Sequence, residues 1–341
     1  MLTALAGVVL LSACSNSQTQ PTPPPVADPP KISCPAPISL QSPLSQPISI
    51  VYGTPTATGG QSPIAVACVP PSGSIFPVGP TTVTCTATDQ RQRIDSCTFT
   101  VTVTVPPRIG LTRFVAFGDS MTAGEVVSEG NGGIRILRVD VAKSYPTVLQ
   151  AKLVSQYAGQ AQSIFVENQG LKGETATDGA SRLRGVLSRS SYDVLLLMDG
   201  ANDLADRDSR TAQLALTAIR SMVQTAKGRG LKVFLATLPP QNKDACCPDR
   251  GLSAVLVEPY NGGLRGMAAD ENVTLVDVFQ AFNGDTTTLI DFDGLHPTPA
   301  GYQMIADTFF KAIKQELEQS SSMSGTGPFR LMPLFAPPRP R

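Results

Sequence analysis

The chain reads as an α/β protein built on a parallel sheet, preceded by a smaller all-β sandwich, and three observations predict this. From residue 111 onward, strand-length apolar runs alternate strictly with helical patterns, the arrangement of a parallel sheet covered by helices on both faces. Between residues 32 and 105 the chain turns instead to short β-branched runs separated by Gly, Pro and Ser, the period-2 signature of strands with one buried face. Ahead of both lies a Pro-, Ser- and Gln-rich stretch with almost no large apolar side chain. At 341 residues and 41% hydrophobic content, there is enough chain for roughly two domains. Its 27 basic and 27 acidic side chains cancel, and no Lys/Arg cluster is dense enough for a nucleic-acid footprint.

The first segment, residues 2–13, is apolar and of signal-peptide length, well short of the roughly 20 residues that span a bilayer. It ends in Leu11-Ser12-Ala13-Cys14, which resembles the bacterial lipobox. The resemblance implies a signal peptide over residues 1–13, cleavage before Cys14 and a diacylglycerol on its thiol. It also implies a place in the cell envelope, at the outer membrane or the periplasmic face, and Ser15 rather than Asp after the cysteine favours the outer membrane. The other reading is a plain signal peptide with an unmodified Cys14. No Lys or Arg precedes the apolar run, so either the start lies upstream or the export signal is weak. Residues 14–31 cannot bury a core and read as an extended tether.

Within residues 32–106, the runs Ile48-Ser49-Ile50-Val51-Tyr52, Thr81-Thr82-Val83-Thr84-Cys85-Thr86 and residues 98–105 read as strands. Four cysteines, Cys34, Cys68, Cys85 and Cys97, fall in this region, and in an exported chain they make a two-disulfide framework with three possible pairings. Cys34-Pro35, the stretch from Cys68-Val69-Pro70-Pro71 to Val78-Gly79, Thr81 to Asp89 and Cys97-Thr98-Phe99-Thr100-Val101 together resemble a hyalin repeat (HYR) domain. That family has an immunoglobulin-like sandwich and serves adhesion or spacing. The resemblance implies Cys34 paired with Cys97 and Cys68 with Cys85. Gln90-Arg91-Gln92-Arg93 stands where the family has a small Gly-containing turn. A spacer without ligand is favoured over glycan or protein contact, since no binding residues stand out.

In residues 111–318 the strand candidates are 113–117, 163–167, 193–198, 232–237 and 274–279, and the helical ones are 143–157, 180–188, 211–227, 254–269 and 298–318. Ligands then belong at the carboxyl ends of the strands. For the last helix, Thr298 is a plausible N-cap with Pro299 at the first helical position, and Met304, Ile305, Phe309 and Ile313 form its apolar face. Residues 319–341 are Ser-, Gly- and Pro-rich and read as a disordered tail.

The chain holds one histidine, His296, in the run Asp291-Phe292-Asp293-Gly294-Leu295-His296-Pro297. A lone histidine is usually structural, but a carboxylate three residues earlier is what a base needs to fix one ring nitrogen and free the other. A nucleophile candidate, Ser120, follows the first strand in Gly118-Asp119-Ser120-Met121, while the Gly-x-Ser-x-Gly elbow of ordinary α/β-hydrolases is absent. Acyl transfer also needs donors for an oxyanion. Candidates lie in Asn168-Gln169-Gly170-Leu171-Lys172-Gly173 and in Gly200-Ala201-Asn202-Asp203, each at a strand end.

In this order, Gly-Asp-Ser, Asn-x-Gly-x-x-Gly, Gly-x-Asn-Asp and Asp-x-x-His closely resemble the four blocks of the SGNH (GDSL-type) hydrolase family. That family has a three-layer α/β/α fold. The resemblance implies Ser120 as nucleophile, His296 as base and Asp293 as its orienting carboxylate. The Ser120 backbone N–H, Gly173 and Asn202 would form the oxyanion hole. Gly170 remains an alternative to Gly173, and Asp291 to Asp293. Met121 stands where the GDSL name has Leu. Asp119 and Asp203 are expected to organise loops through hydrogen bonds. No metal, nucleotide or other cofactor is implied, in keeping with the absence of Cys-x-x-Cys, Gly-x-Gly-x-x-Gly and P-loop patterns.

The expected activity is hydrolysis of a carboxylic ester, lipid or acylated carbohydrate. An acyltransferase on the same site, or a surface binding protein acting through the HYR domain, are the alternatives. Residues 125–139, expected to line the pocket, contain Asn131-Gly132-Gly133 and no long apolar run, which favours a small or polar acyl group. The adjacent Cys246 and Cys247 would form a vicinal disulfide or stay as two thiols.

Overall fold

The computed structural model describes residues 27–43, 46–129, 134–244 and 254–319. The signal segment, Cys14, most of the tether, Asn131 to Gly133, Cys246, Cys247 and the tail beyond residue 319 lie outside the described residues. The chain divides into two compact units, one comprising residues up to 40 and 47–103, the other 41–46 and 104 onward.

The first unit is built from eight strands: β1 (Lys31–Ser33), β2 (Ile38–Gln41), β3 (Ile48–Ser49), β4 (Thr56–Thr58), β5 (Ala65–Val69), β6 (Ile75–Phe76), β7 (Gly79–Thr88) and β8 (Ile94–Thr104). Four form a sheet in the order β2-β8-β7-β5, and β1 pairs β4 while β3 pairs β6. Period-2 patterning decides the core. Val83, Cys85 and Ala87 of β7 and Phe99, Val101 and Val103 of β8 are buried, while Thr84 is exposed and Thr100 and Thr102 are half-buried. Tyr52 packs edge-on against Phe99, ring centroids 5.1 Å apart. The disulfides are Cys34–Cys97 and Cys68–Cys85, the pairing the HYR resemblance implies.

The run 48–52 forms a ladder only at Ile48–Ser49. Ile50 and Tyr52 are still buried, but their N–H groups go to Ser74 O and Ser72 Oγ, which ends the strand. The Gln90 to Arg93 turn is held by Asp89, whose Oδ1 accepts from the N–H groups of Arg91 and Arg93 at 2.9 and 3.0 Å. A carboxylate at the turn's base thus replaces the missing glycine chemistry. Arg93 also donates to Ala27 O and Asp28 O.

In the second unit a short strand, β9 (Arg108–Ile109), precedes β10 (Arg113–Gly118), the first strand of the main sheet in chain order. There follow α1 (Ser120–Ala123), β11 (Glu125–Glu129), β12 (Arg135–Val139), α2 (Tyr145–Gln156), β13 (Phe165–Gly170), α3 (Ala176–Arg189) and β14 (Val194–Met198). The chain continues through α4 (Ser209–Gly228), β15 (Lys232–Ala236), α5 (Ala254–Asp270), β16 (Thr274–Val276), α6 (Val278–Phe282), α7 (Pro299–Leu317) and β17 (Glu318–Gln319). All five predicted strands and five predicted helices are present, and α1, α6, the β11–β12 hairpin and the β9–β17 pair are additional.

The sheet order is β13-β10-β14-β15-β16, every pair parallel. The connection after β10 runs to one side and the next runs to the other, so the crevice of this open sheet lies beyond the carboxyl end of β10. The middle strands are apolar throughout, as a sheet covered on both faces requires: every residue of β14 is buried. Helices α2 and α7 meet through Tyr145 and Phe309, whose rings stack 5.1 Å apart.

Two predicted boundaries moved for local reasons. Helix α3 begins four residues earlier than its apolar pattern, because Thr175 caps it by accepting from Asp178 N at 3.3 Å. The run 274–279 stops as a strand at Val276, because Asp277 accepts from Gln280 N at 3.1 Å and starts α6. Thr298 caps α7, accepting from Gly301 N, with Pro299 in the first turn. Ile305, Phe309 and Ile313 are buried and Met304 lies at the edge of that face.

Candidate active site

The loop after β10 is forced tight by its first residue. A Cβ on Gly118 would lie 1.8 Å from Met198 O of the neighbouring strand, so only glycine permits that approach. Asp119 then caps α1 by accepting from Met121 N at 2.9 Å. Its other oxygen faces Ala201 N at 3.4 Å, which ties this loop to the one after β14. Ser120 therefore sits in the first helical turn, where a backbone N–H has no intrahelical acceptor, at the crevice of the sheet.

The second strand end is ordered by Asn168. Its Oδ1 accepts from Gly170 N at 2.9 Å and its Nδ2 donates to Ser144 Oγ at 3.2 Å. Gly170 packs directly on α1: a Cβ there would meet Ala123 N at 2.0 Å. With its N–H bonded and its α-carbon against a helix, Gly170 is a packing residue. Gly173, in the following turn, has no protein acceptor for its N–H among the described residues. Asn202, after β14, uses one amide hydrogen on Glu174 O at 2.8 Å and keeps the second. Asp203 accepts from Ala176 N at 2.8 Å, joining the second and third loops.

The fourth loop is a narrow turn before α7. Asp291 N donates to His296 O at 2.7 Å, Thr298 N to Leu289 O at 3.0 Å, and Asn242 N to Gly294 O at 2.8 Å. This holds His296, fully buried, with Nε2 2.9 Å from Ser120 Oγ and Nδ1 2.6 Å from Asp293 Oδ2. Asp293 Oδ1 accepts from the backbone N–H groups of Leu295 and His296 at 3.1 and 3.0 Å. Asp291 instead accepts from Phe292 N. Ser120, His296 and Asp293 thus form one chain of hydrogen bonds across two loops.

Charge in this site is set by burial and by neighbours. Burial disfavours the imidazolium, but the bonds to Asp293 and Glu125 outweigh it and push His296 up to about 9. Burial raises Asp293 in turn, but its bonds to His296 and Leu295 hold it below the usual carboxylate range. Asp119 is pushed up to about 6, chiefly by burial.

The roles of three residues here escaped the sequence reading, although Glu125 opens the segment expected to line the pocket and Lys172 stands in the Asn168 to Gly173 block. Glu125, the first residue of β11, is 1% exposed and places Oε2 3.1 Å from His296 Nε2. Lys172 pairs with its other oxygen. Asp199 is buried and uses Oδ1 on Gly200 N at 2.7 Å, while Oδ2 has no hydrogen-bond partner among the described residues. Burial and then the charge of Asp119 raise its carboxyl well above the usual range. The one available signal for Glu125 was a carboxylate directly after the Gly-Asp-Ser block, where the chain must fold back over Ser120.

Residues 116–304 match the model of the GDSL-like lipase/acylhydrolase family and residues 27–103 that of the HYR domain. Over 206 residues the chain is 25% identical to esterase TesA of Pseudomonas aeruginosa, covering 60% of this chain and 92% of that protein. Among solved structures it resembles a lipase/acylhydrolase from Enterococcus faecalis (TM-score 0.50, 22% identity, covering 62% of this chain and all of that one). Another is the acetylxylan esterase Axe2 of Geobacillus stearothermophilus (TM-score 0.47, 23% identity, covering 60% of this chain and 95% of that one).

Proposed function

This chain belongs to the GDSL-like lipase/acylhydrolase family, and from that premise we propose that it is a serine esterase working through Ser120, His296 and Asp293. The observation that carries the reading is the hydrogen-bonded series Ser120 Oγ, His296 Nε2, His296 Nδ1, Asp293 Oδ2, at 2.9 and 2.6 Å. A carboxylate on Nδ1 selects the tautomer whose Nε2 is free to accept a proton.

In the first step His296 Nε2 takes the hydroxyl proton of Ser120 as Oγ bonds to the ester carbonyl carbon. The negative charge on the carbonyl oxygen is met by the N–H groups of Ser120 and Gly173 and by the free amide hydrogen of Asn202. Collapse breaks the bond to the alcohol oxygen, which leaves with the proton from Nε2. Water then repeats the sequence on the acyl-enzyme, His296 taking its proton and returning it to Ser120. Asp293 stays ionised and supports the imidazolium in both halves.

The substrate class we propose is an ester with a small or polar acyl group, on the composition of residues 125–139. Cys14 is proposed to carry a lipid that holds the enzyme at the cell envelope, with the HYR unit as spacer. The test is initial rates on p-nitrophenyl esters from acetate to palmitate, for the full chain and for Ser120→Ala. Short-chain activity lost in the variant is the expected result. Activity that survives in Ser120→Ala would sink the serine mechanism, and a palmitate optimum would sink the acyl preference.

A further inference from the structure

We propose that Glu125 is a positioning residue of this reaction: its carboxylate holds Nε2 of His296 in competition with Ser120, and ties that imidazole to the turn carrying Lys172 and Gly173. The proposal rests on reading His296 as the base.

Hydrogen-bond inventory makes the argument. An ionised carboxylate only accepts. Asp293 Oδ2 lies 2.6 Å from Nδ1 and Glu125 Oε2 lies 3.1 Å from Nε2, so both ring nitrogens face acceptors and both contacts are favourable only if each nitrogen carries a proton. The geometry is that of an imidazolium between two carboxylates. Ser120 Oγ, 2.9 Å from the same Nε2, can pass its proton to that nitrogen only when the nitrogen is bare. Glu125 and Ser120 therefore want opposite protonation states of one atom.

Other groups around the imidazole fit this picture. On its own loop are Asp293 and Asp291. From α1 and its cap come Ser120 and Asp119, whose charge also acts on His296. Glu125 comes from β11, and Lys172, bonded to Glu125 Oε1, from the turn after β13. From α7, Tyr302 donates its hydroxyl to Glu125 O at 2.6 Å. The backbone of Glu125 is thus pinned, and its side chain is the part free to choose a partner. Lys172 is about half exposed and already holds Oε1 of the carboxylate, so Glu125 can release Nε2 and keep its charge paired with Lys172 as Ser120 reacts. Lys172 also neighbours Gly173, so the same carboxylate links the base to the turn that carries an oxyanion donor.

Opposite charges at this range move a pKa by about 1 to 3 units. Glu125→Gln keeps the shape and removes the charge, so the His296 midpoint falls by about one unit or more. Lys172→Met removes the competing cation and the midpoint rises. A purely structural role would not produce shifts of opposite sign.

The chain holds a single histidine, so NMR titration of the imidazole in the full chain, purified without a histidine tag, reads His296 directly and needs no activity. The expected result is a wild-type midpoint near 9, lower in Glu125→Gln and higher in Lys172→Met, with the acid limb of kcat/KM moving alike. An unmoved midpoint in folded Glu125→Gln overturns the proposal, and if that variant does not fold, an unmoved or lowered midpoint in Lys172→Met does so. Midpoints that shift while the acid limb stays put would instead overturn His296 as the base.

Discussion

Asp293 grips His296 at two points: Oδ2 meets the ring at Nδ1, 2.6 Å away, and Oδ1 takes the histidine's own backbone N–H at 3.0 Å. One carboxylate thus sets both the ring's tautomer and the turn that carries it. Asp293→Asn is expected to lower kcat by about 10⁴-fold with a small change in KM, since an amide presents the wrong hydrogen pattern to Nδ1. Asp291→Asn, whose side chain bonds only Phe292 N, should retain kcat within about a factor of ten. Steady-state kinetics on a p-nitrophenyl ester decide between the two carboxylates.

The activity should rise with pH along a single acid limb near 9, because the base works only when unprotonated and Asp293 and Glu125 hold its proton. Stability runs the other way. The folded state binds this proton more tightly than the unfolded chain, whose histidine titrates at about 6.5. The stabilisation is therefore full below that value and is lost as pH rises through about 9. Thermal melts from pH 6 to 10 should show a decline in wild type that is smaller in His296→Ala.

Removing an oxyanion donor should cost turnover and spare the fold. Asn202→Ala is expected to lower kcat by about 10² to 10³-fold with little change in melting temperature. Gly170→Ala should do the reverse in cause: a methyl against Ala123 N displaces α1, so lost activity comes with a lower melting temperature. Melting curves beside kinetics on both variants separate the two.

The two disulfides of the first unit should differ in weight. Cys34–Cys97 spans 63 residues and Cys68–Cys85 spans 17. By loop-closure entropy the first restricts the unfolded chain by about 4 kcal/mol and the second by about 3. Chemical denaturation of paired Cys→Ala variants reads that order, and equal losses would contradict it.

Much of this was legible in the sequence because the informative residues sit in short blocks beside strongly patterned elements. The alternation of β10, α2, β13 and α3 shows as apolar periodicity, and Ser120, Asn202 and His296 each stand within a few residues of a strand or helix end. Glu125 and Lys172 were not legible, because their roles come from contacts that pattern does not encode. Single-turn α1 folds Glu125 back onto a histidine at the far end of the domain. The β11–β12 hairpin was missed for a related reason. Its strands lack an alternating buried face: the neighbours Glu125 and Val126 are both buried while Ile136 and Val139 are exposed, so the alternation that marks β7 and β8 is absent. Asp199 was invisible for the opposite reason, since a carboxylate in a buried loop reads as solvent-facing until the fold surrounds it.

Ser120 and His296 meet across 176 residues of chain, and the turn holding His296 leads directly into α7, the last helix among the described residues. A ribosome, which releases the N-terminus first, exposes the nucleophile long before the imidazole has been made. A nascent chain that stops short of His296 lacks the imidazole, so this enzyme has no activity to restrain through most of its own synthesis. Esterase activity in a translation reaction would therefore report chains extended beyond His296, with a lag set by the time needed to synthesise and dock α7.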